Sequence, residues 1–288
     1  MSQSGNHHWF FLPFLQRPIG THLGNSTAHF LLIEKVIGMG VSTKSDNSVT
    51  GSVPHLDPLG ERVDDLVSEH SGEGTDEILE AMIKKEFPGR IAVVTSFGAE
   101  SAVLLKLVSE ISKDTPVIFL ETQKHFPETL SYRDQLVERL GLTNVCSRFP
   151  EPVEIARIDP DGTLWNVNPD RCCYLRKVLP LEEALKPFDA WITGRKRFQG
   201  DERTELTVFE SDETHIKINP LAYWSEEQVT DYLVKHDLPE HPLVDRGYLS
   251  IGCAPCTRPV ETGQSYRSGR WSGTEKKECG IHKAVWAR

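Results

Sequence analysis

Ile91-Ala92-Val93-Val94-Thr95-Ser96-Phe97-Gly98-Ala99-Glu100-Ser101, followed by the apolar stretch Ala102 to Val108, decides the fold. The short β-branched run Ile91 to Thr95 reads as a buried strand, and the apolar stretch after the turn reads as a helix. Strand, tight turn and helix N-terminus in that order make an anion site, because free backbone N–H groups converge there. Ser96, Gly98 and Ser101 suit such a site: small residues let the backbone approach an anion closely, and hydroxyls add donors. Phe97 belongs to the same turn and is counted with them. An ordinary strand-to-helix turn reads the same way, so the stretch by itself speaks for the fold more than for the ligand.

Working outward, Pro116 to Leu120 reads as a second parallel strand, and Leu130, Leu136, Val137 and Leu140 mark the helix after it. Ala190 to Thr193 is a third strand. Strands alternating with helices predict an α/β fold, a doubly wound and mainly parallel sheet with ligand at the carboxyl ends of its strands. The third strand runs into Gly194-Arg195-Lys196-Arg197, with Arg203 close behind. Guanidinium forks suit bidentate sulfate or phosphate recognition, and this basic run falls at the expected ligand edge. Upstream, Thr75 is expected to cap a helix with Ile78, Leu79, Met82 and Ile83 on one face, ended by Pro88-Gly89. Downstream, Leu206 to Phe209 and His215 to Ile218 suit a hairpin, and Ser225-Glu226-Glu227-Gln228 is a capping box for a helix with Val229, Tyr232 and Leu233 inward. Beyond Pro239 the chain turns irregular.

These readings divide the chain. Residues 1–52 carry no sustained period and are expected to be disordered or a mis-assigned extension, with Met39 a candidate start. Order is expected from about Glu61, residues 61–257 forming one domain and residues 258–288 a mobile C-terminal tail. The net charge of -10 and pI of about 5.6 argue against a nucleic-acid or anionic-membrane binder. No apolar run approaches a membrane span, and Trp9 to Leu15 lacks the flanks of a signal peptide. Six cysteines in 288 residues are too few for a disulfide scaffold and fit metal or redox work in a reducing cytoplasm.

The cysteines are grouped. Cys172-Cys173 and Cys253-Ala254-Pro255-Cys256 bring four thiolates as two close pairs, as a tetrahedral metal or an iron–sulfur cluster requires. Zinc is the main alternative; a redox dithiol at Cys253/Cys256 leaves the adjacent pair unexplained. Arg176 and Lys177 lie one turn beyond the pair if that stretch is helical, where they offset the charge of a thiolate cluster. Cys146 has no partner and reads as a core or strand cysteine. Cys279 has Lys276 and Lys277 before it and His282 after it, cations that raise a thiolate fraction and mark a nucleophile. Arg267 and Arg270 precede it and bring charge to a bound anion. His125, His236 and His241 read as structural.

Taken as a set, Ser96 to Ser101, Cys172-Cys173, Lys217-Ile218-Asn219-Pro220-Leu221, Ser250-Ile251-Gly252-Cys253-Ala254-Pro255-Cys256-Thr257 and Glu278-Cys279-Gly280-Ile281-His282 resemble the assimilatory adenylyl-sulfate/phosphoadenylyl-sulfate reductase family, over roughly Ala81 to His282. The resemblance implies an adenine-nucleotide α-hydrolase-like fold and reduction of a sulfonucleotide to sulfite, with thioredoxin or a glutaredoxin-like reductant as partner. Members with both cysteine pairs carry a [4Fe-4S] cluster and mostly use adenosine 5′-phosphosulfate (APS); those without use its 3′-phosphorylated form (PAPS). Carried over, Cys172, Cys173, Cys253 and Cys256 match the cluster ligands, Cys279 the nucleophile, Lys177 a lysine between cluster and substrate, and Arg267 and Arg270 tail arginines that hold the sulfonucleotide. Glu121 and Gln123 stand where Asp and Gly are more usual. Phe97 stands where an ATP-pyrophosphatase loop has a second glycine, which speaks against the rival reading, a tRNA-thiolating enzyme on a related fold. The chain ends soon after Cys279, so the reductant is expected to be a separate protein. A homo-oligomer is compatible with the sequence.

Overall fold

Alternating apolar runs build one six-stranded sheet: β1 (Ile91–Thr95), β2 (Val117–Leu120), β3 (Val145–Arg148), β4 (Ala190–Ile192), β5 (Phe209–Ser211) and β6 (Ile216–Ile218), in the order β3-β2-β1-β4-β6-β5. The computed structural model describes residues 57–282 apart from Glu213. The expectations for residues 1–52, Met39 among them, lie outside the described residues. β1 lies at the centre and pairs in parallel with β2 (Val94 opposite Ile118) and β4 (Ala92 opposite Trp191). β3 and β6 extend the parallel sheet, and β5 closes it antiparallel to β6, Phe209 facing Ile218. The hairpin is therefore present, but its first arm begins at Phe209, where the sequence reading ends it, and its second begins at Ile216. β3, which went unread, carries the half-buried Cys146 opposite Ile118.

Both faces are covered, as a parallel sheet requires. Ile91 and Val93 of β1 point into one core and Ala92 and Val94 into the other, the period of two that a strand imposes. The helices are α1 (Pro58–Glu69), α2 (Thr75–Ala81), α3 (Ser101–Ile111), α4 (Pro127–Leu140), α5 (Pro152–Ile158), α6 (Leu164–Val167), α7 (Pro169–Cys173), α8 (Leu179–Leu185) and α9 (Glu226–Lys235). Two details depart from expectation. Order begins before Glu61: Asp57 caps α1 by accepting from the Gly60 N–H at 3.0 Å. The cap of α2 is Gly74 rather than Thr75, with the Glu77 carboxylate accepting the Gly74 N–H at 2.7 Å. Thr75 is used elsewhere, donating to the Pro220 carbonyl and accepting from the Trp224 indole.

α7 runs without a break through a π-helical turn, Tyr174–Val178, into α8. Pro180 explains the widening, since it has no N–H to offer the carbonyl four residues back and its ring crowds that carbonyl. The turn projects Cys172, Cys173 and Lys177 from one helix. At the far end of the domain, His241 is buried beside α4 and takes its tautomer from its partners. Its Nδ1 accepts the Leu243 N–H at 3.2 Å, so the proton sits on Nε2 and is donated to Thr129 Oγ1 at 3.0 Å. Burial lowers its pKa from 6.5 to about 4, against a smaller opposing pull from Glu128. Between those values the unfolded chain binds the extra proton and the folded one does not, so stability present above pH 6.5 is lost as pH falls toward 4. Urea unfolding at pH 7 and pH 5 is expected to show a lower midpoint at pH 5, with a smaller drop in His241→Gln, since His125 is lowered in the same way; an equal drop in both proteins would contradict this placement of His241.

Candidate active site

A cavity of about 160 Å³ opens at the carboxyl ends of β1, β2 and β4. Its floor is the turn between β1 and α3, and Ser96, Gly98 and Ser101 line it. A Cβ on Gly98 would stand 3.2 Å from the Ile251 carbonyl, so the close approach of the 249–252 loop calls for a residue without one. Lys177, Arg195, Arg203, Arg267, Arg270 and Cys279 also reach the cavity. Phe97 and Arg197 do not line it. The Phe97 ring is fully buried, edge-on to Phe119 at 5.5 Å, because a φ of 48° turns it from the loop into the core. Arg197 faces the other way: its Nε donates to the Leu206 carbonyl at 2.7 Å and its guanidinium lies 4.5 Å over Tyr223.

Six cations line the cavity (Lys177, Arg195, Lys196, Arg203, Arg267, Arg270) against two carboxylates, Glu100 and Glu278. That surplus makes an anion pocket in an acidic chain. Lys196 is committed to Glu100 at 2.6 Å and to the Gly194 carbonyl at 2.9 Å. Arg195 pairs with Glu210 and with Asn219 Oδ1. Arg203 grips Glu278 through Nε at 2.6 Å and Nη2 at 2.9 Å, and Arg267 reaches the same carboxylate at 3.0 Å. The buried Nε of both Arg267 and Arg270 lack a protein partner, a donor surplus suited to an anionic ligand.

Cys279 sits at the end of this cavity, buried, with its backbone N–H on Glu278 Oε1 at 2.7 Å. The Cys173 thiol donates to its sulfur; against the cost of burial, Lys177 and the Ile281 N–H add to that, and Cys279 is held well below an ordinary thiol while Cys173 is raised. For Lys177, burial works against the charge, but the neighbouring sulfurs of Cys253, Cys279 and Cys173 outweigh it and the net shift is upward. His282 stacks on Trp191 at 5.7 Å with planes 6° apart, and burial next to Arg195 and Lys217 keeps it neutral.

Beside this cavity lies a smaller one lined by Cys172, Cys173, Cys253 and Cys256. Lys177 and Arg270 line both. The second pair is set by a short turn: Cys256 N–H donates to the Cys253 carbonyl at 3.0 Å, and Ala254 N–H to the Lys124 carbonyl at 2.7 Å. Thr122 Oγ1 lies 3.2 Å from Cys253 Sγ. Burial pushes the Cys172 thiol up to about 11 and raises that of Cys256, so these two need a cation beside them to be held as thiolates. Among the described residues, the only three or more His, Cys, Asp or Glu ligand atoms within 4.8 Å of one another belong to Glu69, His70 and Glu86. Four cysteines lining one small pocket are a donor set that suits a thiolate-bound metal or an iron–sulfur cluster. Arg176, one turn on, is occupied by Asp159 at 2.7 Å and by the Thr122 carbonyl.

Several site residues escaped the sequence. Glu278, adjacent to Cys279, and Glu100, in the turn after β1, line the cavity without a local pattern that marks them. Gln199 and Tyr266 also line the cavity. His125, read as structural, hydrogen-bonds the Leu120 carbonyl at 3.0 Å and also faces the cavity. Gln123 takes φ 63° where the resembling family more usually has glycine, and Glu121 Oε1 secures that turn by accepting the Gln123 N–H at 2.8 Å. Residues 258–282 of the tail are seated over the site. Arg258 N–H donates to the Gly269 carbonyl at 2.8 Å and Trp271 N–H to the Cys256 carbonyl at 3.0 Å.

A family model described as the phosphoadenosine phosphosulfate reductase domain matches residues 90–259. The adenosine 5′-phosphosulfate reductase of Mesorhizobium japonicum is 55% identical over 206 residues, covering 72% of this chain and 81% of that protein. That of Chelativorans sp. is 50% identical, covering 67% and 79%, and that of Staphylococcus haemolyticus 39%, covering 77% and 92%. The solved phosphoadenylyl-sulfate reductase of Candida auris, a phosphate complex, is 29% identical with a TM-score of 0.58, covering 73% of this chain and 100% of that one.

Proposed function

The chain belongs to the phosphoadenosine phosphosulfate reductase family, with its adenine-nucleotide α-hydrolase-like fold, and we propose that within it the chain reduces adenosine 5′-phosphosulfate to sulfite and AMP in sulfate assimilation. One observation carries the reading: Lys177 and Arg270 are shared between a basic cavity ending in Cys279 and a pocket of four cysteines. The relatives at 39–55% identity are named for APS, which favours it over the 3′-phosphorylated substrate.

The chemistry is displacement at sulfur. The Cys279 thiolate attacks the sulfate sulfur, the S–O bond to the phosphate breaks, and AMP leaves with the electron pair, giving a cysteine S-sulfonate. A thiolate of a separate dithiol reductant, thioredoxin or a glutaredoxin-like protein, attacks the Cys279 sulfur; sulfite departs with the electron pair of the S–S bond. The second thiol of the reductant then resolves the mixed disulfide and returns the Cys279 thiolate, two electrons having come from the dithiol. Lys177, Arg267 and Arg270 offset the charge of sulfate and phosphate, which would otherwise repel the thiolate. Cys172, Cys173, Cys253 and Cys256 would hold a [4Fe-4S] cluster, which supplies fixed anionic charge behind Lys177 and ties α7 to the 253–256 turn. With Cys173 ligated, its proton is no longer available to Cys279, and Lys177 and the Ile281 N–H remain to favour the thiolate. Cysteines that are all unpaired fit a reducing cytoplasm, and no helix among the described residues is long and apolar enough to cross a membrane.

Sulfite release measured with thioredoxin and either APS or PAPS tests the reading. APS is expected to be favoured by about 100-fold or more in kcat/KM, the discrimination available when one substrate brings an extra charged group to a site built for the other. Comparable turnover of PAPS would overturn the substrate, and sulfite from neither would overturn the reductase.

A further inference from the structure

Cys279 is held in its place by a carboxylate that the displacement chemistry does not use. Glu278 is 3% exposed and accepts four hydrogen bonds: two from Arg203, one from Arg267 Nη2 and one from the Cys279 N–H. Arg203 follows β4 on the sheet side, whereas Arg267 belongs to the tail and also donates to the Lys277 carbonyl at 3.1 Å. One carboxylate therefore joins the sheet, the tail and the backbone of the nucleophile. Without its charge, two buried guanidinium groups would face each other uncompensated, and Arg203 already disfavours the charge of Arg267.

The tail upstream is fastened by other means. Residues 256–258 pair with 269–271 through the Thr257–Arg270 bridge and the two flanking backbone hydrogen bonds. A Cβ on Gly269 would stand 2.2 Å from the Arg258 carbonyl, so this pairing is specific to a glycine. Trp271 lies beneath Arg270 at 4.4 Å and Lys276 at 5.5 Å, and Lys276 Nζ reaches Asp170 of α7 at 2.5 Å. None of these contacts involves Glu278. Downstream, Ile281 packs on the second core and His282 on Trp191.

We propose that Glu278 is a positioning residue, a latch that sets the Cys279 backbone against the basic cavity, and that the hinge of the tail lies at Lys277, between the Lys276–Asp170 anchor and this latch. Release then lifts residues 277–282 alone. From the Lys276 anchor, Cys279 travels no further than three residues extend, about 10 Å. A protein reductant accordingly meets the sulfur beside α7 and Trp271, while residues 258–276 keep their place.

Amide hydrogen exchange on the purified, iron-loaded enzyme tests this without substrate. Glu278→Gln preserves shape and removes charge; exchange across 277–282 is expected to rise about tenfold or more, with 258–276 and the amides of β1 and β4 unchanged. Glu278→Asp, which keeps the charge, is expected to restore much of the protection. Arg203→Lys, which keeps charge but loses the fork, is expected to loosen 277–282 from the sheet side, and it serves if the Gln variant does not fold. Unchanged exchange at 277–282 in Glu278→Gln and Arg203→Lys, equal opening in the Gln and Asp variants, or opening of 258–276 together with 277–282 would each overturn the proposal. A second arm rests on the reading of Cys279 as the nucleophile. Glu278→Gln is expected to lower kcat for APS about tenfold or more without raising KM, since Arg203 and Arg267 remain to bind anion. A raised KM with unchanged kcat would make Glu278 part of the binding surface instead. Because the exchange arm needs no turnover, a failure of the latch is distinguishable from a failure of the proposed reaction.

Discussion

Cys279→Ser is expected to abolish sulfite release, by about 10⁴-fold or more, with nucleotide binding little changed. The size follows from the nature of the step. Displacement at the sulfate sulfur needs a soft, ionised nucleophile, and a serine hydroxyl in the same place is neither. The rest of the site has no reason to move. The backbone N–H that meets Glu278 at 2.7 Å is common to both residues, and the cations of the cavity keep their partners. Intact-mass measurement after incubation with APS should show a sulfonate adduct on the unchanged enzyme and none on the variant. AMP binding by calorimetry should agree between the two within about threefold, the scatter expected of a change outside the nucleotide contacts. An adduct that persists in Cys279→Ser would move the nucleophile to another thiol. Cys173 is the neighbour in contact, but it is buried on α7 and its pKa is raised by donating to Cys279, by burial and by the Cys279 charge.

What was legible in the chain, and what was not, follows from the range of the interactions. The turn from Ser96 to Ser101 was readable because strand, turn and helix N-terminus are local and each has its own residue signature. The same holds for the capping box at Ser225, whose hydroxyl accepts the Gln228 N–H at 3.1 Å while Gln228 accepts from Ser225 at 2.8 Å. Two side chains misled, Phe97 and Arg197, each for want of a local signal. At Phe97 the position, φ 48°, belongs to the anion loop but the ring belongs to the core, and no local pattern separates the two. Arg197 looked like Arg195 and Arg203 in sequence. Its difference is the carbonyl of Leu206 and the ring of Tyr223, both brought to it by folding. Glu278 was missed for a related reason: an acid beside a nucleophile reads as unfavourable until Arg203 and Arg267 arrive from distant segments.

The four-cysteine pocket depends on contacts between distant segments, and Cys253→Ser is the variant that tests it most sharply. The unchanged protein is expected to carry about four irons per chain with visible absorption, the stoichiometry of a cubane cluster, and the variant to lose most of the iron and the colour. Metal analysis with absorption spectra checks this, and zinc in the unchanged protein would replace the cluster by a single ion. Sulfite release is expected to fall about 100-fold or more in the variant. The reason lies in Lys177. Its charge is maintained in a buried site by the cysteine sulfurs around it, Cys253 foremost among them, and it faces the basic cavity as well as the cysteines. Removing Cys253 takes away that support on one side and the tie between α7 and the 253–256 turn on the other. The turn in turn bears the tail through the Trp271 N–H on the Cys256 carbonyl, so a loosened turn should loosen residues 269–271 as well. Exchange in Cys253→Ser should accordingly rise at 253–257 and 269–271, the segments that Glu278→Gln is expected to leave protected. If iron is lost while those amides stay protected, the cysteines serve the charge of Lys177 and the fastening of the tail is independent of them.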